Sequence, residues 1–211
     1  DANLSGADLS KADLRNANLG GADLSKVNLM DTNLSKADLR GADLECALYT
    51  DGTKFPEGFD PVDSGMHWIG PNEDLSKAKL REANLSEADL SEADLSKAKL
   101  IRAKLIRANL VHADLSGADL SEANLRDTNL SDANLSKASL KGADLSKANL
   151  SGKDLRGTNL SEASLSQAKL SEANLVGTDL KRADLSKADL SKANLSEADL
   201  SKAKLIRAKL I

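Results

Sequence analysis

Leucine recurs at every fifth residue of this chain. It does so nine times from Leu4 to Leu44 and, after a break, twenty-eight times without a gap from Leu75 to Leu210. Tyr49 holds the next beat of the first series, so 37 of 38 central positions are Leu. Two residues before each centre stands a small residue, Ala in 31 of the 38 cases. Asp or Asn mostly fills the position between, and Ser most often follows the Leu. A period of five suits neither standard element. Residues five apart on an α-helix are about 140° out of phase, so the Leu would wander around the cylinder. On a strand they would switch faces.

The pattern becomes consistent if each pentad is a short extended step followed by a corner. Ala points in, Asp or Asn points out, Leu points in, and two polar residues turn the chain. Ser, Gly, Asn and Asp suit such corners because they tolerate turn geometry or bond their own backbone. One corner per pentad coils the chain, stacks Leu and Ala into inward ladders, and lets backbone groups pair with coils about 4.8 Å above and below. The sequence predicts an all-β solenoid with essentially no helix.

The run Ala-(Asp/Asn)-Leu-x-x, as in Ala143-Asp144-Leu145-Ser146-Lys147, resembles the pentapeptide-repeat proteins. That resemblance implies a right-handed quadrilateral β-helix with four pentads per coil. It covers residues 1–51 and 73–211, and it is specific for fold but not for function. On this reading the second block makes seven coils and the first two and a half. One coil-equivalent for the interruption gives about 9–10 coils in all, a rod of roughly 50 Å at about 4.8 Å per coil.

Residues 52–72 break the repeat and hold Phe55, Phe59, Met66, His67, Trp68 and all three prolines, Pro56, Pro61 and Pro71. Two readings fit. The favoured one is an insertion of one coil whose aromatics patch an irregular core, with Phe55, four pentads before Leu75, able to take a central position. The other is a protruding interaction loop that presents Phe59, Met66 and Trp68 to a partner, since loops on rigid scaffolds carry function. Phe55, Phe59, Met66 and Trp68 are therefore the candidate interaction residues. Phe55-Pro56-Glu57-Gly58-Phe59-Asp60-Pro61 is similar to segments near the ends of repeat tracts in cyanobacterial relatives, which hints at a cap or joint.

Lys153 occupies an inward position where Ala is the rule. A buried ammonium is costly unless its tip reaches water or a partner, so a local bulge is favoured over a functional lysine. Ile101, Ile106, Val111, Val176, Ile206 and Ile211 put apolar side chains at corners among Lys and Arg. They form a band around a corner, not a flat stripe, and are expected to have no special function. Residues 90–106 and 195–211 are identical, an internal duplication at an offset of 21 pentads.

Composition narrows the function classes. Cys46 is alone and His67 and His112 are the only histidines, so no disulfide framework or multi-cysteine metal site is available. Ser recurs as a corner residue, none paired with His at a suggestive spacing, and no phosphate-binding glycine loop or calcium-binding repeat is present. Neither an enzyme nor a cofactor nor a metal is expected. No apolar run approaches the roughly 18 residues of a membrane span. The chain opens inside a repeat without a Met, so it reads as part of a longer protein, and a cytoplasmic location is expected.

The leading reading is a non-enzymatic scaffold or protein-interaction rod with an unidentified protein partner. The alternative is a DNA mimic that binds a type II topoisomerase, as some members of the resembling family do, and this needs a strongly negative surface. The net charge is −4. Outward residues on the four faces of the second block sum to −1, +2, +3 and −2, whereas residues 1–72 sum to −6. No basic stripe or set of stacking aromatics supports direct nucleic-acid binding. Uncapped solenoid ends expose apolar ladders. If these are the ends of the whole molecule, end-to-end dimers or short oligomers are accordingly expected, with Leu205, Leu210 and Ile211 at or near the junction; with further sequence they need not form.

Overall fold

The computed structural model describes residues 2–210 and divides the chain into two units, Asp1–Gly70 and Pro71–Ile211. Each is a right-handed quadrilateral β-helix. In the second unit, isolated parallel bridges join outward residues to their counterparts four pentads on, with one exception described below, from Asp74↔Asp94 to Asp189↔Lys209. One corner per pentad and four pentads per coil make four sides. Among the described residues there is no helix, so none is long and apolar enough to cross a membrane.

The pentad closes its hydrogen bonds locally and between coils. Leu100 N–H donates to the Asp119 carbonyl of the next coil (2.8 Å), and Arg102 N–H donates to the Ser121 carbonyl (2.9 Å). Ala103 N–H returns to the Leu100 carbonyl across the corner (2.9 Å), and Lys104 N–H reaches back to the Ala83 carbonyl (2.9 Å). The remaining amide, that of the residue after Leu, is taken by the outward Asp or Asn two positions earlier, as in Ser116 N–H to Asp114 Oδ1 (2.9 Å). Every amide of the regular pentad thus has a partner, which an ordered backbone requires.

The corner has a positive φ only at its second residue, the signature of a type II turn. Gly takes that position at Gly117 and Gly142, but so do Lys97 (φ 59°), Glu122 (φ 59°) and Arg102 (φ 59°). A left-handed residue with a Cβ costs roughly 1–2 kcal/mol. The inter-coil hydrogen bond from that same residue, repeated at corner after corner, offsets the cost.

Inside, Leu80, Leu100, Leu120, Leu140, Leu160 and Leu180 form one of four buried columns, none more than 1 % exposed. Burying each Leu contributes about 1.5–3 kcal/mol. Ala columns run beside them, and Thr replaces Ala where its hydroxyl finds a carbonyl. Thr128 Oγ1 donates to Leu105 O (2.8 Å) and Thr178 Oγ1 to Leu155 O (3.1 Å).

Lys153 interrupts this order. Bridges Asp114↔Asn134 and Asp154↔Asn174 are present, but among the described residues Asn134 and Asp154 do not bridge. The amides of Leu135 and Asp154 have no backbone partner among those residues. The missing rung lies at Lys153, where the regular inward residue is Ala. The Lys153 Nζ lies 3.9 Å from Asp132 Oδ1 with the side chain only 10 % exposed. The rung is lost with no change of register on either side, so no bulge carries the side chain out; the ammonium stays nearly buried, and that burial pushes its pKa down.

The first unit keeps the four-pentad step from Asn3↔Asp23 to Asn28↔Leu48, then changes it. Asn33 bridges Lys54, one position beyond the regular step. Strand β1, Leu48–Tyr49, pairs in parallel with β2, His67–Trp68, in the register Leu48↔His67 and Tyr49↔Trp68, one position short of it.

Candidate interaction site

The irregular residues of the first unit are held by specific side chains. The Thr53 hydroxyl donates to the Leu29 carbonyl (2.8 Å), which lets the chain step over the coil below. Phe55 meets Tyr49 edge-on with ring centroids 5.6 Å apart and stacks on Phe59 at 5.1 Å. Both phenylalanines are partly buried against the core built from Leu34, Leu39, Leu44 and Ala47. The turn Pro56–Phe59 closes with Phe59 N–H on the Pro56 carbonyl (3.2 Å), with Gly58 left-handed at φ 76°. A second turn follows, where Asp60 Oδ1 accepts from Val62 N–H (2.8 Å).

The four candidate residues thus have different surroundings. Met66 is 8 % exposed and sits in the core, because the changed register places it beside Ala47 in an inward column. Its thioether is not presented to solvent. Trp68 is half-buried, and its indole N–H donates to Asp51 Oδ1 (2.9 Å). Gly70 lies so close under the ring that a Cβ there would collide with the indole carbons Cη2 and Cζ2. Phe55 and Phe59 pack against the core and are half-buried. The large apolar side chain that does project is Val62, 71 % exposed. Sequence reasoning passed over it, although Asp60-Pro61 announces a turn that would carry the next residue outward.

Beside Phe59 lies a groove of about 510 Å³, lined by Lys36, Ala37, Asp38, Leu39 and Arg40 on one side and residues 56–59 on the other. The Arg40 guanidinium grips Asp38 through Nε to Oδ1 (2.9 Å) and Nη2 to Oδ2 (2.7 Å). Those bonds hold the Asp38 carboxyl down to about 2. His67, beside the buried Met66, has an Nε2 that is shielded from solvent and without a hydrogen-bond partner, and burial lowers its pKa.

The corner apolars of the second unit are mostly half-buried. Ile101, Ile106, Val111 and Val176 pack partly into the surface, while Ile206 is 65 % exposed. Of the residues expected at an end-to-end junction, Leu205 is half-buried, Leu210 is 57 % exposed and Ile211 lies outside the described residues.

Comparison with known proteins fixes the family. The family described as pentapeptide repeats matches in eight copies, at residues 7–45, 74–110, 113–152, 138–176, 154–186 and 173–210. Among solved structures, the chain is similar to HetL, a pentapeptide repeat protein involved in heterocyst differentiation regulation from the cyanobacterium Nostoc sp. strain PCC 7120. The two are 35% identical with a TM-score of 0.52, over 99% of this chain and 88% of HetL. It is also similar in fold to trypsin-treated QnrB1, a plasmid-mediated fluoroquinolone resistance protein. There the identity is 21% and the TM-score 0.51, over 100% of this chain and 89% of that one. Among curated proteins, none is similar enough to match. The chain belongs to the pentapeptide-repeat family.

Proposed function

We propose that this protein is a non-enzymatic scaffold whose working surface binds another protein. The observation that carries the reading is how the outward polar groups are used. Asp and Asn close corners, as Asp114 does for Ser116, and charges at successive corners pair across coils, as Arg102 does with Glu122 (2.8 Å) and Arg107 with Glu87 (2.7 Å). Such groups are committed to the solenoid and repeat without converging. The surface that departs from the repeat is the first unit's Phe59 groove and Val62 turn, and it is shaped for contact. The similarity to HetL, described as taking part in heterocyst differentiation regulation, supports a role exercised through partners.

Affinity capture from the source cell tests this. Wild-type chain recovers a stoichiometric protein partner, and a variant with Val62→Asp and Phe59→Ala recovers less of it. Recovery of no partner at any salt concentration would overturn the reading.

A second reading, a DNA mimic that binds a type II topoisomerase, draws on one observation. Asp74, Asp94 and Asp114 stack in consecutive bridges and form an acidic column on one face. A gyrase supercoiling assay separates the two readings, because only a mimic inhibits or protects the enzyme.

A further inference from the structure

We infer that the groove over Leu39 receives an extended peptide segment of the partner, which adds one rung to the first unit's ladder; the inference rests on the interaction-scaffold reading and names its site. In a regular pentad three backbone groups point to the next coil. At Leu14 these are Leu14 N–H, given to the Asn33 carbonyl (2.8 Å), Asn16 N–H, given to the Ser35 carbonyl (3.2 Å), and the Ala12 carbonyl, which accepts Asn33 N–H (2.9 Å). The corresponding groups one coil and one pentad later are Leu39 N–H, Gly41 N–H and the Ala37 carbonyl. Residues 58–60 should supply their rung. That stretch is instead folded into turns, with Phe59 N–H spent on the Pro56 carbonyl. None of the three groups has a hydrogen-bond partner among the described residues.

Two donors and one acceptor in ladder register specify the occupant. An anion can satisfy the donors but offers nothing to the Ala37 carbonyl. An extended polypeptide supplies both kinds of group, and strand addition at an open ladder edge is a general mode of peptide recognition. Charge agrees. Lys36 and Arg40 are balanced by Asp38 and Glu57, and Arg40 and Asp38 neutralise each other directly. A rim with no net charge is matched to an uncharged backbone and does not attract a polyanion. Phe59, Pro56 and Leu39 provide an apolar wall for one side chain of the incoming segment. The volume of about 510 Å³ lies in the range of about 300–1,000 Å³ typical of ligand sites. Because the surrounding ladder is parallel, the added segment runs parallel to residues 37–41.

The test starts from peptides selected against the full chain from a random-peptide phage library. Amide hydrogen exchange at Leu39 and Gly41 is then followed by NMR with and without the selected peptide. Binding is expected to slow both amides by about tenfold or more, as local pairing does. Phe59→Ala is expected to weaken the peptide about tenfold, as loss of an aromatic anchor does. Should that variant fold poorly, the wild-type exchange measurement decides alone. Three results overturn the inference: no peptide is selected, selected peptides protect other amides and leave Leu39 and Gly41 unchanged, or a short DNA duplex protects these two amides as well as peptide does. The second result leaves the scaffold reading standing, since that reading falls only when cell capture yields no partner.

Discussion

Asp89 Oδ1 accepts hydrogen bonds from both the backbone amide (3.1 Å) and the hydroxyl (2.7 Å) of Ser91, and Asn109 of the next coil donates to the same oxygen (2.9 Å). This unit, an outward carboxylate or amide closing the corner two residues on, explains the residue between Ala and Leu. The corner amide points away from both neighbouring coils, and a side-chain oxygen is its nearest acceptor. Asn serves as well as Asp, as Asn159 does for Ser161 through both amide (3.0 Å) and hydroxyl (2.6 Å).

Acid should therefore loosen the solenoid. The serine hydroxyl and then its amide hold Asp74, Asp89, Asp184 and Asp189 below the usual carboxylate range. For an acid whose folded pKa is depressed, the stability is present above the unfolded value, about 3.9. It is lost as pH falls from there through the folded value. Unfolding followed by circular dichroism is expected to set in below about pH 4. Replacing Asp74, Asp184 and Asp189 together by Asn keeps the acceptor and removes the proton uptake, so the acid midpoint moves down. An unmoved midpoint would assign acid sensitivity to other groups.

Lys153→Ala should stabilise the second unit. The substitution removes a nearly buried ammonium whose ion-pair partner, Asp132, is 3.9 Å away, and it lets Asn134 and Asp154 bridge as their neighbours do. Recovering the unpaired Leu135 and Asp154 amides is worth about 1–3 kcal/mol. The urea midpoint is expected to rise, and exchange of those two amides to slow. A lower midpoint would mean that the Lys153–Asp132 contact contributes more than the missing rung.

How much of this was legible in the sequence depends on what each residue answers to. The columns through Leu80 and Leu100 were readable because a period of five admits few solutions. The four-sided section came from the family resemblance. Corners were expected of Ser, Gly, Asn and Asp, yet Lys97 and Arg102 take the left-handed position, since inter-coil bonds override local preference there. Asp132 was not foreseeable as the partner of Lys153, because they lie a full coil apart along the chain and only the coil length brings them together. The differing burial of Met66 and Trp68 was not readable for a related reason. The bridging step lengthens by one position at Asn33↔Lys54 and falls one short of four pentads at Leu48↔His67, and no periodicity announces either change. The Leu39 edge is open because a turn replaced a rung, and only the hydrogen-bond partners reveal that.

Gly70→Ala should disturb the first unit. The added methyl would collide with two carbons of the Trp68 ring, a ring that cannot swing away without giving up its bond to Asp51. Overpacking of this kind costs about 1–3 kcal/mol. A lower denaturant midpoint, read by Trp68 fluorescence, is expected. If the midpoint and the emission maximum both stay put, the indole is not fixed against Gly70.

His67 should make the first unit sensitive to mild acid, well before the carboxylates titrate. Its Nε2 is shielded and unpaired, and burial lowers its pKa from the ordinary 6.5. The neutral ring suits the folded state, while the unfolded chain takes up a proton near pH 6.5. For a base whose folded pKa is depressed, stability is full above the unfolded value. It falls as pH drops from there toward the folded one, because only the unfolded state gains from protonation. The denaturant midpoint reported by Trp68 fluorescence is therefore expected to be lower at about pH 5.5 than at about pH 8. His67→Gln, which cannot be protonated, should flatten that difference. A midpoint that stays constant across this range in the wild-type chain would show that the ring reaches water or a partner when charged.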